Sequence, residues 1–171
     1  MKSVAVGVLA LAAGVAALSG TATTTRYYDG QEGACGCGNS GGPFGWSLGG
    51  SGFYTAAGSQ ALYDPSGSSW CGSGCGQCYQ LTSTGNAPCS TCGTGGDAGQ
   101  SIIVMVTNLC PNNGNAQWCP QPGGRNQYGY EYHFDLMAQN EIFGDNVVVN
   151  FQSVPCPGTA VSDYSQCVCH H

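Results

Sequence analysis

The side chains that could catalyse a reaction in this 171-residue chain are almost all carboxylates. The one lysine is Lys2 and the one histidine away from the C-terminus is His133, which leaves little for Schiff-base chemistry or a Ser-His-Asp triad. The twelve cysteines are an even number, typical of disulfides rather than of thiolate nucleophiles. Nine Asp and Glu side chains remain, and a pair of carboxylates among aromatic and amide groups suits glycosidic-bond hydrolysis.

Asp135 is the candidate general acid. It stands in residues 132–136, Tyr-His-Phe-Asp-Leu, where strand alternation puts His133 and Asp135 on one face and Phe134 and Leu136 on the other. If Phe134 and Leu136 fill the core, Asp135 points into a cleft, and partial desolvation there raises the pKa of its carboxyl. A carboxyl of this kind keeps its proton at working pH, as a general acid must.

Asp29 is the candidate general base. It ends residues 25–29, Thr-Arg-Tyr-Tyr-Asp, and shares a strand face with Tyr27. From an exposed, wetter position its carboxylate would stay ionised and could deprotonate water. For both aspartates the alternative is a purely structural residue in a turn or at a cap.

The composition restricts the partners and the number of domains. Only three Lys and Arg residues oppose the nine Asp and Glu, so clustered cations for a nucleic acid are missing. Charged residues make up 7% of the chain and aromatic residues 10%, which excludes a solvated disordered polymer. The length is that of one domain, and the substrate is expected to be uncharged.

The first 22 residues are predicted to be a secretory signal peptide. Lys2 is followed by an apolar run over residues 4–18 and then by the small residues 19–22. The run is shorter than the ~20 apolar residues of a membrane-spanning helix. We therefore expect a secreted protein without a membrane anchor after cleavage, with residues 23–171 as a single catalytic domain.

The compartment then determines how the cysteines are used. In an oxidising environment twelve cysteines predict six disulfides, whose pairing cannot be deduced from spacing. The competing interpretation is a four-cysteine zinc site, because Cys75 and Cys78 precede Cys89 and Cys92 with the spacing of two zinc knuckles. The signal peptide and the eight further cysteines favour disulfides.

The hydrophobic pattern predicts strands and loops rather than helices. Alternation or apolar runs mark strands at residues 78–83, 101–107, 130–136 and 146–154. A short helix is expected at 59–63 and one or two helical turns at 137–143, whereas the glycine-rich residues 30–53 read as a disulfide-pinned loop. The economical architecture is a small, closed, disulfide-rich β-barrel.

Four segments together resemble the endoglucanases of glycoside hydrolase family 45, most closely their short fungal catalytic domains. They are residues 24–30 (Thr-Thr-Arg-Tyr-Tyr-Asp-Gly), 75–82 (Cys-Gly-Gln-Cys-Tyr-Gln-Leu-Thr), 106–111 (Val-Thr-Asn-Leu-Cys-Pro) and 133–136 (His-Phe-Asp-Leu). The resemblance implies an all-β fold, a six-stranded double-psi β-barrel with long loops and short helices.

The resemblance also implies an activity, that of a secreted cellulase acting on internal β-1,4-glucosidic bonds with inversion. By motif position Asp29 would be the general base and Asp135 the general acid, the pair chosen above from their settings. In an inverting site the two carboxyl groups stand roughly 6.5 to 9.5 Å apart. The expected partner is a β-glucan polysaccharide, with no metal or organic cofactor, and the expected state is a monomer.

One departure from the family pattern changes the helper residue. The best-known subfamily has a third aspartate shortly before His-Phe-Asp, and this chain has none there. Asp97 stands in a similar Thr-Gly-Gly-Asp segment but precedes the strand at 101–107, so the role is not transferred to it. Asn108 is the better helper candidate, with a turn residue as the alternative.

Several other side chains are candidates for contact with the substrate. Tyr27 is expected to support the sugar and His133 to neighbour the acid, and both could instead be packing residues. Trp46, Trp70 and Trp118 could stack on glucose rings, although large aromatics in a small protein usually lie in the core.

Two other functions stay open. Expansins and swollenin-like proteins resemble this chain in the barrel and in the Leu-Cys-Pro and His-Phe-Asp segments, and they loosen cell walls without hydrolysis. They lack the base aspartate, so Asp29 favours an enzyme over an expansin-like or glucan-binding protein. A barwin-like binding module would need no acid at all.

Overall fold

The computed structural model describes residues 17–170. Its elements in chain order are β1 (Ser19–Tyr27), β2 (Gly38–Asn39), β3 (Gly42–Pro43), a 3₁₀ turn (Gly45–Leu48), β4 (Tyr54–Ser59), α1 (Gln60–Tyr63), β5 (Cys78–Ser83), β6 (Ser101–Cys110), β7 (Tyr132–Met137), β8 (Val148–Val154) and α2 (Gly158–Tyr164). Six strands close into a barrel in the order β1-β7-β4-β6-β5-β8. The predicted all-β, six-stranded barrel is confirmed. Within residues 17–170 no helix has the length and apolarity needed to cross a membrane.

Strand β7 lies between β1, which is parallel to it, and β4, which is antiparallel. The register places Thr25 of β1 and Ala57 of β4 on either side of Asp135. A register shift between Ala56 and Ala57 in the parallel pair β4 and β6 brings Asn108 alongside Ala57. One row of neighbouring residues therefore crosses the four strands β1, β7, β4 and β6. Its members are Thr25, Asp135, Ala57 and Asn108.

The other face of β7 fills the barrel. Phe134 and Leu136 are 0% and 3% exposed, as the strand alternation predicts. Phe134 packs edge-to-face on Tyr79 and Phe151, with ring centroids 5.4 Å apart in both pairs. Burial of these rings fixes the side from which Asp135 emerges.

All twelve cysteines form disulfides, which confirms the six predicted bridges. The pairs are Cys35–Cys75, Cys37–Cys167, Cys71–Cys169, Cys78–Cys156, Cys89–Cys92 and Cys110–Cys119. The four cysteines with zinc-knuckle spacing therefore belong to three different disulfides and offer no thiolates. Several bridges fasten the N-terminal loops and the C-terminal segment to the barrel.

The segment 137–143 does not form the predicted helical turns. The Ala138 N–H donates to the Tyr27 carbonyl at 3.1 Å, which continues the contact with β1. The Arg26 guanidinium donates to the carbonyls of Ala138 and Gln139, both at 3.1 Å. These backbone groups already have hydrogen-bond partners on the neighbouring strand β1, so a local i→i+4 helix would add no hydrogen bonds for them.

Candidate active site

Asp135 lies at the centre of the row that crosses the four strands. Its carboxyl is largely buried, and desolvation raises its pKa to about 6. The charge of Asp29 adds to this rise, whereas the Thr25 hydroxyl and the Arg26 guanidinium oppose it. A carboxyl with such a pKa holds its proton below about pH 6, and the role of Asp135 as general acid stays a prediction.

Behind Asp135 a chain of hydrogen bonds runs into the protein. The Thr25 hydroxyl donates to Asp135 Oδ1 at 2.7 Å and contacts His133 Nε2 at 2.9 Å. Because that hydroxyl has one proton, it must accept from a protonated Nε2. His133 Nδ1 is then an acceptor for the Thr23 hydroxyl at 2.8 Å, and Thr23 Oγ1 accepts from Asn126 Nδ2 at 2.9 Å.

The far end of this chain is fixed by the backbone. Asn126 Oδ1 accepts from the N–H groups of Tyr128 at 3.1 Å and Tyr130 at 3.0 Å, so its Nδ2 is the end that faces Thr23. His133 is 0% exposed, and desolvation lowers its pKa to about 3. Neutral His133 supports Asp135 from behind and has no free ring nitrogen for a sugar.

Tyr27 and Asn108 form a second hydrogen-bonded unit. Asn108 Nδ2 donates to the Tyr27 hydroxyl at 3.1 Å, while Asn108 Oδ1 accepts from the N–H groups of Ala34 at 2.7 Å and Leu109 at 2.9 Å. Burial raises the pKa of Tyr27 well above its usual range, and the charges of both candidate aspartates add to the rise. Tyr27 is therefore a neutral phenol placed near both carboxyls.

Asp29 lies two residues beyond the end of β1 and is exposed. Its Oδ1 accepts from the Gln31 N–H at 3.0 Å, which leaves Oδ2 without a partner among the described residues. The contrast with Asp135 is the one expected for a base and an acid. The Asp29 carboxyl is exposed to water, and the Asp135 carboxyl is desolvated.

A cavity of about 380 Å³ opens on the acid. Its lining consists of Thr25, Arg26, Trp118, Asp135 and Glu141, together with a loop that carries Gly144, Asp145 and Asn146. That loop is braced, because the Thr94 N–H donates to Asp145 Oδ2 and Asn146 Nδ2 donates to the Cys92 carbonyl. A wider cavity of about 570 Å³, at the start of β4 and β6, contains no carboxylate.

The three tryptophans have different settings. Trp118 is half-buried beside His133, with ring centroids 5.7 Å apart. Trp46 packs against Phe53 at 6.0 Å. Trp70 is 51% exposed. Only Trp118 lines the cavity at the acid.

Sequence reasoning overlooked Thr23, Thr25 and Asn126. The two threonines lie within or next to the quoted Thr-Thr-Arg segment, and their spacing of two places both on the face of β1 that meets His133. Asn126 had no such signal, because it reaches the site from a loop. The candidate metal group Cys110, Cys119 and His133 offers no free ligand, since its sulfurs are bonded to each other.

Comparisons with known proteins relate the chain to expansins and to endoglucanases. The protein-family model described as EXPB1-like domain 1 matches residues 22–169. Endoglucanase-5 of Hypocrea jecorina is 78% identical over 149 residues, 86% of this chain, and the chain spans 62% of that protein. An endoglucanase of Mytilus edulis is 40% identical over 171 residues, covering 88% of this chain and 91% of that protein.

The solved structure of the GH45 endoglucanase EG27II in complex with cellobiose has a TM-score of 0.79 and 41% identity, and the match covers 89% of each chain. Expansin-A7 of Arabidopsis thaliana is more distant, at 36% identity over 109 residues, 61% of this chain and 31% of that protein.

Proposed function

Because the chain matches EXPB1-like domain 1 and belongs to the glycoside hydrolase family 45 endoglucanases, we propose that it hydrolyses internal β-1,4-glucosidic bonds of cellulose and related β-glucans with inversion. The observation that carries this proposal is the contrast between two neighbouring carboxyls. The pKa of Asp135 is raised to about 6 by desolvation, and Asp29 is exposed. Such a pair can serve as acid and base in one single-displacement step.

Asp135 acts as the general acid. Its Oδ1 accepts the Thr25 hydroxyl proton, so the carboxyl proton resides on Oδ2. From there it passes to the glycosidic oxygen as the bond to the anomeric carbon breaks, and the leaving sugar departs as an alcohol. His133 takes the part of a positioning residue, since its protonated Nε2 holds the Thr25 hydroxyl in this direction.

Asp29 acts as the general base. Its unpartnered carboxylate oxygen accepts a proton from water, whose oxygen attacks the anomeric carbon from the face opposite the leaving group. The Tyr27 hydroxyl accepts from Asn108, which leaves its own proton free to donate to the sugar or the water. In this scheme Asn108 is the helper that orients Tyr27, and Trp118 offers a ring face at the acid.

Hydrolysis is tested by viscosity and reducing-end release on carboxymethyl cellulose. We expect a fast fall in viscosity with few new ends, abolished in Asp135→Asn and Asp29→Asn. Asp97→Asn is the matched control, because it makes the same change in an exposed aspartate of a look-alike segment. NMR of the first product detects the α-anomer if the reaction inverts, whereas an initial β-anomer would overturn the inverting mechanism.

An expansin-like role is the second candidate, favoured by the family description and the expansin relative. The same experiment separates the two functions. A protein that binds cellulose yet releases no ends, with Asp29→Asn indistinguishable from the unaltered chain, would replace the hydrolase by a non-hydrolytic glucan-binding protein. The expected monomer is checked by light scattering on the same samples.

We also propose that the protein is secreted and that its signal segment, predicted over residues 1–22, is removed ahead of Ser19. Residues 1–16 of that segment lie outside the described part of the chain. Support comes from the pairing of Gly20 with Phe151 and of Ala22 with Val149, and from the complete burial of Ala22. Mass spectrometry of the secreted protein should give an N-terminus at or before Ser19. A chain that begins at Thr23 and melts at the same temperature would contradict the proposal.

A further inference from the structure

Trp70 is the most exposed tryptophan among residues 17–170, with 51% of its surface open. Trp46 and Trp118 are both half-buried. Nothing in the catalytic scheme uses Trp70. Its ring is therefore an apolar surface that is open to a ligand.

The backbone around Trp70 is held firmly. Ser68 Oγ donates to the Trp70 carbonyl at 2.8 Å and accepts from the Trp70 N–H at 3.4 Å. Cys71, the next residue, is bridged to Cys169 and adopts a φ of +48°, in the left-handed region that few non-glycine residues occupy. An exposed ring on so constrained a segment loses little conformational freedom on binding a ligand.

Trp70 is also connected to the active site through two residues, Cys71 and Ala34. The Cys71 N–H donates to the Ala34 carbonyl at 3.1 Å, and the Ala34 N–H donates to Asn108 Oδ1 at 2.7 Å. The segment that carries Trp70 is thus fastened to the residue that orients Tyr27. Val168, next to the cysteine bridged to Cys71, is 67% exposed and adds apolar surface there.

From this placement we propose that Trp70 is a stacking platform for a glucose unit of a long β-glucan chain whose scissile bond lies between Asp29 and Asp135. The inference rests on the proposed function. A β-linked glucose ring has its hydroxyls around the rim and only C–H groups on its faces, and such a face fits a flat apolar ring. Ala34 is bonded both to Asn108 and to the segment of Trp70, so we expect only a long chain, and not a short oligosaccharide, to occupy the catalytic row and Trp70 together.

The experiment measures binding rather than hydrolysis, so that the two proposals fail separately. In Asp135→Asn protein, dissociation constants for cellotriose and cellohexaose are determined by calorimetry, with and without Trp70→Ala. We expect Trp70→Ala to weaken cellohexaose binding about tenfold, the equivalent of roughly 1.4 kcal/mol, and cellotriose binding less than about twofold. Trp70→Phe should restore part of the loss.

Val161→Ala is the matched control, because Val161 is a 59% exposed apolar side chain on α2. It should leave both constants unchanged. Equal loss for both oligosaccharides after Trp70→Ala, no loss for either, or an Asp135→Asn protein whose affinity does not rise with chain length would each overturn the platform. Hydrolysis by the unaltered protein tests the proposed function independently.

Discussion

Thr25 and Asp135 face each other across the parallel strands β1 and β7, and the Thr25 hydroxyl donates its only proton to Asp135 Oδ1. Residues farther from the cleft determine the direction of this hydrogen bond. The amide of Asn126 fixes Thr23, Thr23 fixes the tautomer of His133, and His133 fixes Thr25. The acid is therefore oriented by buried groups that never meet the substrate.

Thr25→Val should disturb the acid without removing it. The hydroxyl lowers the pKa of Asp135, so its loss raises that pKa further and moves the alkaline limb of the activity profile to higher pH. The maximal turnover should fall, because the carboxyl proton is no longer confined to Oδ2. The pH dependence of kcat/KM measures both effects, and an unmoved alkaline limb would contradict them.

The control for that change is Thr24→Val on the same strand. Thr24 is buried, and its hydroxyl donates to the Val147 carbonyl at 2.8 Å, away from the acid. The Val147 carbonyl keeps its bond from the Thr24 N–H at 3.0 Å, so loss of the hydroxyl should cost about 0.5–1.5 kcal/mol of stability. The pH profile of the Thr24 variant should coincide with that of the unaltered protein.

Asp135 and His133 also change the stability of the fold with pH in opposite directions. Their pKa values are about 6 and about 3 in the folded protein, against about 3.9 and 6.5 in an unfolded chain. Between about pH 4 and pH 6 folding therefore takes up a proton at Asp135 and releases one at His133. The two pH dependences cancel in this window.

Asp135→Asn should remove that cancellation. With His133 alone, the unfolded state binds more protons, so the stability of the variant falls by about 1.4 kcal/mol for each unit that the pH drops from 6 to 4, relative to the unaltered protein. Urea unfolding at pH 4, 5 and 6 measures the difference. Parallel stability curves for the two proteins would show that Asp135 takes up no proton on folding in this pH range.

How well the sequence predicts an element depends on how strong the apolar pattern of that element is. Strand β5 was predicted at its observed bounds, and β6 three residues short, because apolar patterning is strong there. Strand β4, Tyr-Thr-Ala-Ala-Gly-Ser, has no such pattern and forms because β6 and β7 flank it. Helix α2 was likewise missed, and it lies between the disulfide-bonded Cys156 and Cys167.

The residues of the candidate site likewise could be predicted only where a local motif marks them. Asp29 and Asp135 can be named from their local motifs, and the charge of Asp29 raises the pKa of Asp135, although their catalytic roles stay a proposal. The contact between Asn108 and Tyr27 depends on strands 81 residues apart in sequence. No periodicity encodes such a contact, since it arises only when the barrel closes.

The disulfides should contribute unequally to stability. Cys37–Cys167 closes a loop of 130 residues and is buried, whereas Cys89–Cys92 closes one of 3 and is partly exposed. In the chain-entropy description the long bridge stabilises by about 3 kcal/mol more than the short one. Replacing each pair by alanine and comparing unfolding midpoints checks this, and equal losses would contradict it.

Asn108→Asp should separate a helper role from a structural one. The new carboxylate still accepts from the Ala34 N–H, but it can no longer donate to Tyr27, whose proton then turns toward that carboxylate instead of the cleft. We expect turnover to fall about hundred- to thousandfold, as when one preorganised donor is lost, with little change in melting temperature. Asn112→Asp, which loses a donor to the Cys119 carbonyl, is the control and should keep full turnover. If Asn108→Asp and Asn108→Ala both keep it too, Asn108 serves only to hold Ala34 against β6.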